Sequence, residues 1–267
     1  MNEVLDGLRV LVSLIFLAYA SWSDLREREV SNKVWVIFAP LALSLTSLQF
    51  FVFSPESLYV FVLAFVITSV LSVTLFYAGA FGGADAKALI CISMALPSYP
   101  IYLLQPLFNL PFPIFPISVF CNAVFLAALS VLYILLRNYL WKRRTGKRLF
   151  EGFEKESIGR KILTAVSGYK AKVVEPEKKG YLYPLEDIRV VESGESERKL
   201  ILMPKDEERK EIIERILDAS QKGKLSDDMW VSPGLPMLVF ITAGLILALV
   251  VGDIVLVLLG SAFGFRF

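Results

Sequence analysis

Charge is distributed along this chain in a way that few folds accommodate. Of its 54 Lys, Arg, Asp and Glu residues, 39 fall between Trp141 and Ser232, and the other 175 residues share 15. A soluble domain carries charge over its whole surface, whereas long uncharged apolar stretches belong in lipid. The pattern excludes one uniform soluble globule and predicts a membrane protein with a polar domain spliced in. A hydrophobic fraction of 55% agrees with this, as does a mean hydropathy of +0.60. The polar block holds 21 basic and 18 acidic residues, so its charge nearly cancels and gives no reason to expect a nucleic-acid partner.

The chain has no histidine. Ser–His catalysis and a His-Glu-x-x-His zinc site are therefore excluded. Its two cysteines, Cys91 and Cys121, lie in apolar runs. They cannot by themselves make a four-ligand zinc site and read as small buried thiols, so no metal or cofactor is expected. Any acid–base chemistry must come mainly from Asp, Glu, Lys, Tyr or Arg.

Six apolar segments are expected, at about Leu8–Ser23, Val34–Phe53, Leu58–Phe81, Ala86–Leu104, Ile117–Leu140 and Leu235–Leu259. The first can extend back to Asn2, and its flanks do not read as a cleaved signal peptide. Pro106, Pro111, Pro113 and Pro116 break the chain between the fourth and fifth segments. The predicted fold is an α-helical polytopic membrane protein of six transmembrane helices with a small α+β domain between helices five and six. Its expected divisions are 1–140, 141–232 and 233–267.

Basic residues set the expected orientation. Arg26, Arg28 and Lys33, then Lys87, then Lys142, Arg143, Arg144, Lys147 and Arg148 fall on one side, and the opposite connections, 54–57 and 105–116, hold none. The positive-inside rule puts that side in the cytoplasm and both termini outside. Trp22, Trp35, Trp141 and Trp230 all fall at the same ends, where an indole suits the headgroup layer. In the polar block, Lys170–Val174, Arg189–Glu192 and Lys199–Met203 read as strands. Asp206–Ser220 reads as a helix with an apolar stripe of Ile212, Ile213, Ile216 and Leu217 and a favourable Glu211–Arg215 pair. The plain reading of this block is a solvated insert.

Chemistry is better sought at two aspartates. Asp24 lies where segment one leaves the membrane, and Asp85 where segment three meets segment four. The expected topology brings both to the cytoplasmic face. Two such carboxylates suit an aspartic protease: one, ionised, takes a proton from water, and the other, protonated, polarises the scissile carbonyl. Gly79, Gly82 and Gly83 interrupt the apolar run before Asp85 and would allow a tight turn or close substrate approach. Each feature also has an ordinary reading, as an interfacial acid beside Arg26 and Arg28 or as a plain loop. Glu27 and Glu29 could attract a basic peptide or simply be interfacial charge. Asp253 reads as snorkelling or helix-paired, and Ser118 and Asn122 as bonding between helices.

The stretch Asp24-Leu25-Arg26-x-Arg28-x-Val30-x-Asn32 resembles the first aspartate region of type IV prepilin peptidases. Gly82-Gly83-Ala84-Asp85, followed by Lys87, resembles their second motif, Gly-x-Gly-Asp, with Ala84 where that pattern has glycine. The segment order, the insert and Trp230-Val231-Ser232-Pro233-Gly234-Leu235-Pro236 resemble the archaeal branch, the preflagellin (prearchaellin) and prepilin peptidases. The resemblance implies a membrane aspartic endopeptidase that removes a short basic leader from archaellin or type IV pilin precursors at the cytoplasmic face. Asp24 and Asp85 would be the catalytic pair, supported by Gly82 and Gly83. The tetracysteine domain and methyltransferase activity of bacterial relatives are not implied. The rival from another class is a transport or scaffold protein, since intramembrane acids also mark ion paths. Against it stand the single face shared by the two acids and the lack of visible inverted repeats.

Overall fold

The computed structural model describes residues 2–53, 55, 58–101, 103–107, 113–190, 196–201, 206–221 and 228–263. Two compact units emerge, one of Met1–Ala127 with Pro236–Phe267 and one of Ala128–Leu235. The first contains α1 (Asn2–Glu27), α2 (Asn32–Val52), α3 (Leu58–Tyr77), α4 (Gly83–Ala95), α9 (Met237–Val250) and α10 (Ile254–Phe263). A long helix, α5 (Phe115–Thr145), gives its first part to this unit and its remainder to the second.

Helices α1, α2, α3 and α5 are each long and apolar enough to cross a membrane, and α9 with α10 makes a fifth crossing if the bent pair is one span. The chain is thus a mostly helical, multi-pass membrane protein. The fourth apolar segment is helical only over Gly83–Ala95, short of the roughly 20 residues a straight crossing needs. Pro97 and Pro100 follow directly and cannot continue a helix. In the expected sixth segment the axis bends by 61° between α9 and α10. The freed backbone groups are satisfied there by side chains. Asn122 donates to the carbonyl of Gly252 and accepts from the amide of Ile254, and Asp253 Oδ1 accepts from the amides of Val255 and Leu256. Asp253 therefore caps α10 from a buried position and does not snorkel. Asn122 bonds between helices, as its place in an apolar helix suggests.

The core of this unit is apolar with polar ties. Leu17, Phe38, Leu89, Ile92 and Leu245 are buried in it, and Phe16 stacks on Phe38 at 4.9 Å. Ser21 donates to the carbonyl of Leu238, and Thr46 to that of Ala95, the use such residues have where no water is available. A Cβ on Gly244 would lie 2.7 Å from the carbonyl oxygen of Val119 and 2.8 Å from the amide nitrogen of Ala123. Only glycine lets α9 lie this close to α5. Trp35 is buried in the same core, so its indole does not serve the headgroup layer.

The second unit contains α6 (Ile158–Ser167), β1 (Tyr169–Lys172), α7 (Glu175–Lys178), β2 (Leu182–Pro184), β3 (Glu186–Val190), β4 (Ser196–Leu200), α8 (Asp206–Gln221) and β5 (Asp228–Pro233). Strands β1, β5 and β2 form an antiparallel sheet in that order, with Lys170 opposite Trp230, and β3 pairs with β4. Side chains alternate across β5. Met229 and Val231 join Tyr169, Leu182, Ile212 and Ile216 on one side, while Trp230 joins Phe153, Leu185 and Leu200 on the other.

The stretch that reads as a lead into segment six is thus the central strand of a sheet. Trp230 is fully buried and stacks on Phe150 at 4.9 Å, so it too is a core residue and not a headgroup anchor. The stripe on α8 packs as its spacing suggests, with Ile212, Ile213 and Ile216 buried. Arg215 reaches Glu211 at 3.8 Å but makes its closer pair, at 3.0 Å, with Asp187. The strand expectations at Val191, Glu192, Leu202 and Met203 fall outside the described residues, as does Pro111.

Candidate active site

Helix α1 ends where Arg28 adopts a left-handed conformation, φ 57°. Its amide still reaches back to the carbonyl of Asp24 at 3.0 Å. Ser23 Oγ donates to the carbonyl of Glu29 at 2.7 Å, which folds the chain back towards α2. Asp24 therefore sits one turn from the end of α1, half-buried. Among the cations, Arg28 is the one whose charge acts on it. Arg26 instead lies over the ring of Trp22, 5.4 Å from its centroid.

Asp85 is held differently. Gly82 caps α4, and its N–H donates to Asp85 Oδ2 at 2.9 Å across three residues. This is half of a capping box, with the carboxylate at the positive end of the helix dipole. A Cβ on residue 82 would stand 3.1 Å from that same Oδ2. The glycine thus serves by making room for the carboxylate, and not by turning the chain. The turn is made at Gly79, which has φ 73°. Gly83 begins α4, and a Cβ there would meet only Phe76, at an ordinary 3.6 Å.

The two carboxylates are close enough for the charge of Asp24 to act on Asp85. Asp85 is 9% exposed. A further tie links the two regions: Lys87 Nζ donates to Asn32 Oδ1 at 2.7 Å, joining the fifth residue of α4 to the first residue of α2. In the sequence both residues stand out only as parts of motifs. Arg28 reads there as one of several interfacial charges, although its spacing of four from Asp24 is the signal that singles it out. Glu27 and Glu29 are exposed. Among the described residues no three of Cys, Asp and Glu assemble in a way that could hold a metal ion. What the arrangement offers is two carboxylates from different helices, one backed by a backbone donor and the other by a guanidinium, at a point where α1 leaves its apolar run.

A model of the type IV leader peptidase family matches residues 11–136, a span that includes both aspartates. A second model, described as Archaeal Peptidase A24 C-terminus Type II, matches residues 160–254. Together the two matches cover most of the chain and make it similar to the type IV leader peptidase family. Similar curated proteins are preflagellin peptidases. The one from Methanococcus voltae is 29% identical over 250 residues, 92% of this chain and 95% of its own. That from Methanocaldococcus jannaschii is 29% identical over 260 residues, 95% and 98% of the two chains. That from Methanococcus maripaludis is 27% identical over 257 residues, 92% and 96%. Similarity to a peptidase family, with relatives matched along nearly their full lengths, favours an enzyme over a transport or scaffold protein.

Proposed function

We propose that this chain is a membrane aspartic endopeptidase that removes the leader peptide from archaellin precursors, with Asp24 and Asp85 as its catalytic pair. The observation that carries this reading is that two carboxylates, 61 residues apart in sequence, fall within electrostatic reach of one another. The names of the relatives support the substrate class, and pilin-like precursors fall in the same chemistry.

In the proposed reaction the pair holds one proton between them and titrates as a unit. Water lies between the carboxylates and the scissile carbonyl. The ionised carboxylate takes a proton from the water as its oxygen attacks the carbonyl carbon, and the protonated carboxyl donates to the carbonyl oxygen. The tetrahedral intermediate then collapses, the C–N bond breaks, and the leaving amine takes a proton from the pair. Gly82 holds Asp85 in place through its N–H and by carrying no Cβ. Arg28 and the Lys87–Asn32 bond fix the ends of α1, α2 and α4 about the site.

The wider proposal is six crossings, with α4 and its following segment as the fourth and α9–α10 as the sixth. Both termini lie outside, and residues 141–232 form a cytoplasmic domain between helices five and six. Support comes from the placing of basic residues after α1, before α4 and after α5. The test of function is to incubate the detergent-purified protein with a full-length archaellin precursor and sequence the product. A single new N-terminus near the start of the precursor is expected. An intact precursor, or cuts scattered along it, would contradict the proposal.

A further inference from the structure

A cavity of about 520 Å³ lies in the second unit, between one face of α5 and the edge of β1. Tyr133, Leu136, Arg137, Leu140, Trp141 and Arg144 line it from the helix. They run from the apolar part of a membrane-spanning helix to its basic end, about 16 Å at the usual helical rise. Tyr133 and Leu136 are exposed, while the next two turns carry Arg137, Trp141 and Arg144. From the other side come Lys170, Lys172, Glu175 and Asp228.

The charges of this cavity do not balance. Asp228 pairs with Lys172 at 3.1 Å and Glu175 with Lys179 at 2.8 Å, so both acids already have cationic partners. Lys170 turns its ammonium to Glu186 at 3.7 Å and to the rings of Phe153 and Trp230. Arg137 lies on the ring of Tyr169, 3.5 Å from its centroid, a contact that orients the guanidinium without neutralising it. Arg144 is exposed and has no hydrogen bond or ion pair among the described residues. Among the described residues these two guanidinia, seven residues apart on one helix face, make no salt bridge, although the charge of Arg137 is felt by Glu175.

We propose that this cavity binds an anionic phospholipid, with its phosphate between Arg137 and Arg144 and its hydrocarbon chains along Tyr133, Leu136 and Leu140. Guanidinium suits phosphate because it donates two parallel N–H bonds. Basic pockets beside membrane-spanning helices are where charged headgroups lodge. The apolar-to-basic order along α5 fits an amphiphile better than a free anion, which would have no use for the exposed Tyr133 and Leu136. The proposal is independent of the catalytic reading, because binding is measured without a peptide substrate.

The test is native mass spectrometry of the full chain in detergent, titrated with phosphatidylglycerol and, separately, with phosphatidylcholine. Phosphatidylglycerol should be retained at several-fold lower concentration. Arg144→Gln, which removes no hydrogen bond or ion pair among the described residues, should raise the half-saturating concentration about fivefold, the scale of one basic residue against an anionic lipid. Arg137→Gln should do at least as much. Arg143→Gln is the control, since Arg143 lies over Tyr139 and does not line the cavity. It should change binding less than twofold. Equal retention of the two lipids, or equal loss in Arg143→Gln and Arg144→Gln, would overturn the proposal in favour of diffuse surface charge. Displacement of phosphatidylglycerol by millimolar inorganic phosphate would overturn it in favour of a free-anion site.

Discussion

At the scale of single residues, the geometry around Asp85 turns on an absent atom. The 2.9 Å bond from the Gly82 amide to Oδ2 and the 3.1 Å clearance to a notional Cβ describe one constraint. Gly82→Ala should push the carboxylate by a few tenths of an ångström, enough to disturb its alignment with a partner on another helix. Cleavage should fall by roughly 10- to 100-fold, on the scale of small misplacements in catalytic geometry, while expression and folding are unchanged. Gly83→Ala meets only ordinary contact and should stay within a few-fold of the parent. Equal effects in a precursor-cleavage time course would remove the special role of Gly82. Each aspartate alone is ordinary in the sequence, since an acid at a helix end is cheap, and only their paired placement at one expected membrane face singles them out. The Lys87–Asn32 bond was not legible, since it joins residues 55 apart whose side chains are ordinary at their own positions.

At the scale of elements, the insert is organised by one buried acid. Glu186, at the start of β3, accepts from Arg198 at 2.5 Å and from the Trp230 amide at 3.0 Å, and pairs with Lys170 at 3.7 Å. It ties β4, β5 and β1 together across the Trp230 cluster. Replacing one partner of such a network leaves the others buried and uncompensated, at a cost of roughly 3–5 kcal/mol. Glu186→Leu should therefore speed amide exchange across β1 and β5 of the full chain. Protection equal to the parent's would show that the network adds no stability.

Lys170 adds a pH dependence. Burial against Phe153 and Trp230 lowers its pKa to about 8, against the opposing pull of Glu186. The unfolded chain, near 10.5, holds the proton more tightly. The contribution of this lysine is therefore complete above about 10.5, falls as pH drops towards 8 and is smallest below that. Thermal midpoints of the parent measured at pH 8 and pH 10, set against those of Lys170→Met, should show the parent gaining relative to the variant at the higher pH. A constant difference between the two proteins would contradict the assignment. The stripe on α8 was legible from its period. Strand β5 was not, because Met229-Trp230-Val231 is a short apolar run that reads equally as the edge of a membrane segment. Its alternation between two cores appears only once β1 and β2 flank it.

At the scale of the whole molecule, uneven charge makes the membrane class and a charged, sheet-containing region towards the C-terminus legible in the sequence alone. The number of crossings is harder to read. Apolar composition does not reveal that α4 stops at Ala95 or that the last apolar run bends by 61° at Gly252–Asp253. Backbone breaks of this kind depend on partners such as Asn122, which belong to a different helix.

The proposed orientation has its own check. A cysteine at Gln105 should react with an impermeant thiol reagent in intact cells, and one at Lys147 only after the cells are opened; both positions are exposed. The reverse pattern would put the aspartates on the outer face and invert the topology.

The central claim is that two aspartates act as one catalytic unit, and the measurement closest to it is cleavage of an archaellin precursor by four variants at equal enzyme level. Asn keeps the size of Asp but cannot pass the proton. Asp24→Asn and Asp85→Asn should each reduce the rate by at least ~100- to 10,000-fold, and the double variant should be little worse than either, as for residues that work together. Asp253→Asn, whose amide still caps α10, should remain active, and gel filtration in detergent should show all four variants folded like the parent. Near-parental cleavage by a folded Asp24→Asn or Asp85→Asn protein would contradict the aspartic mechanism.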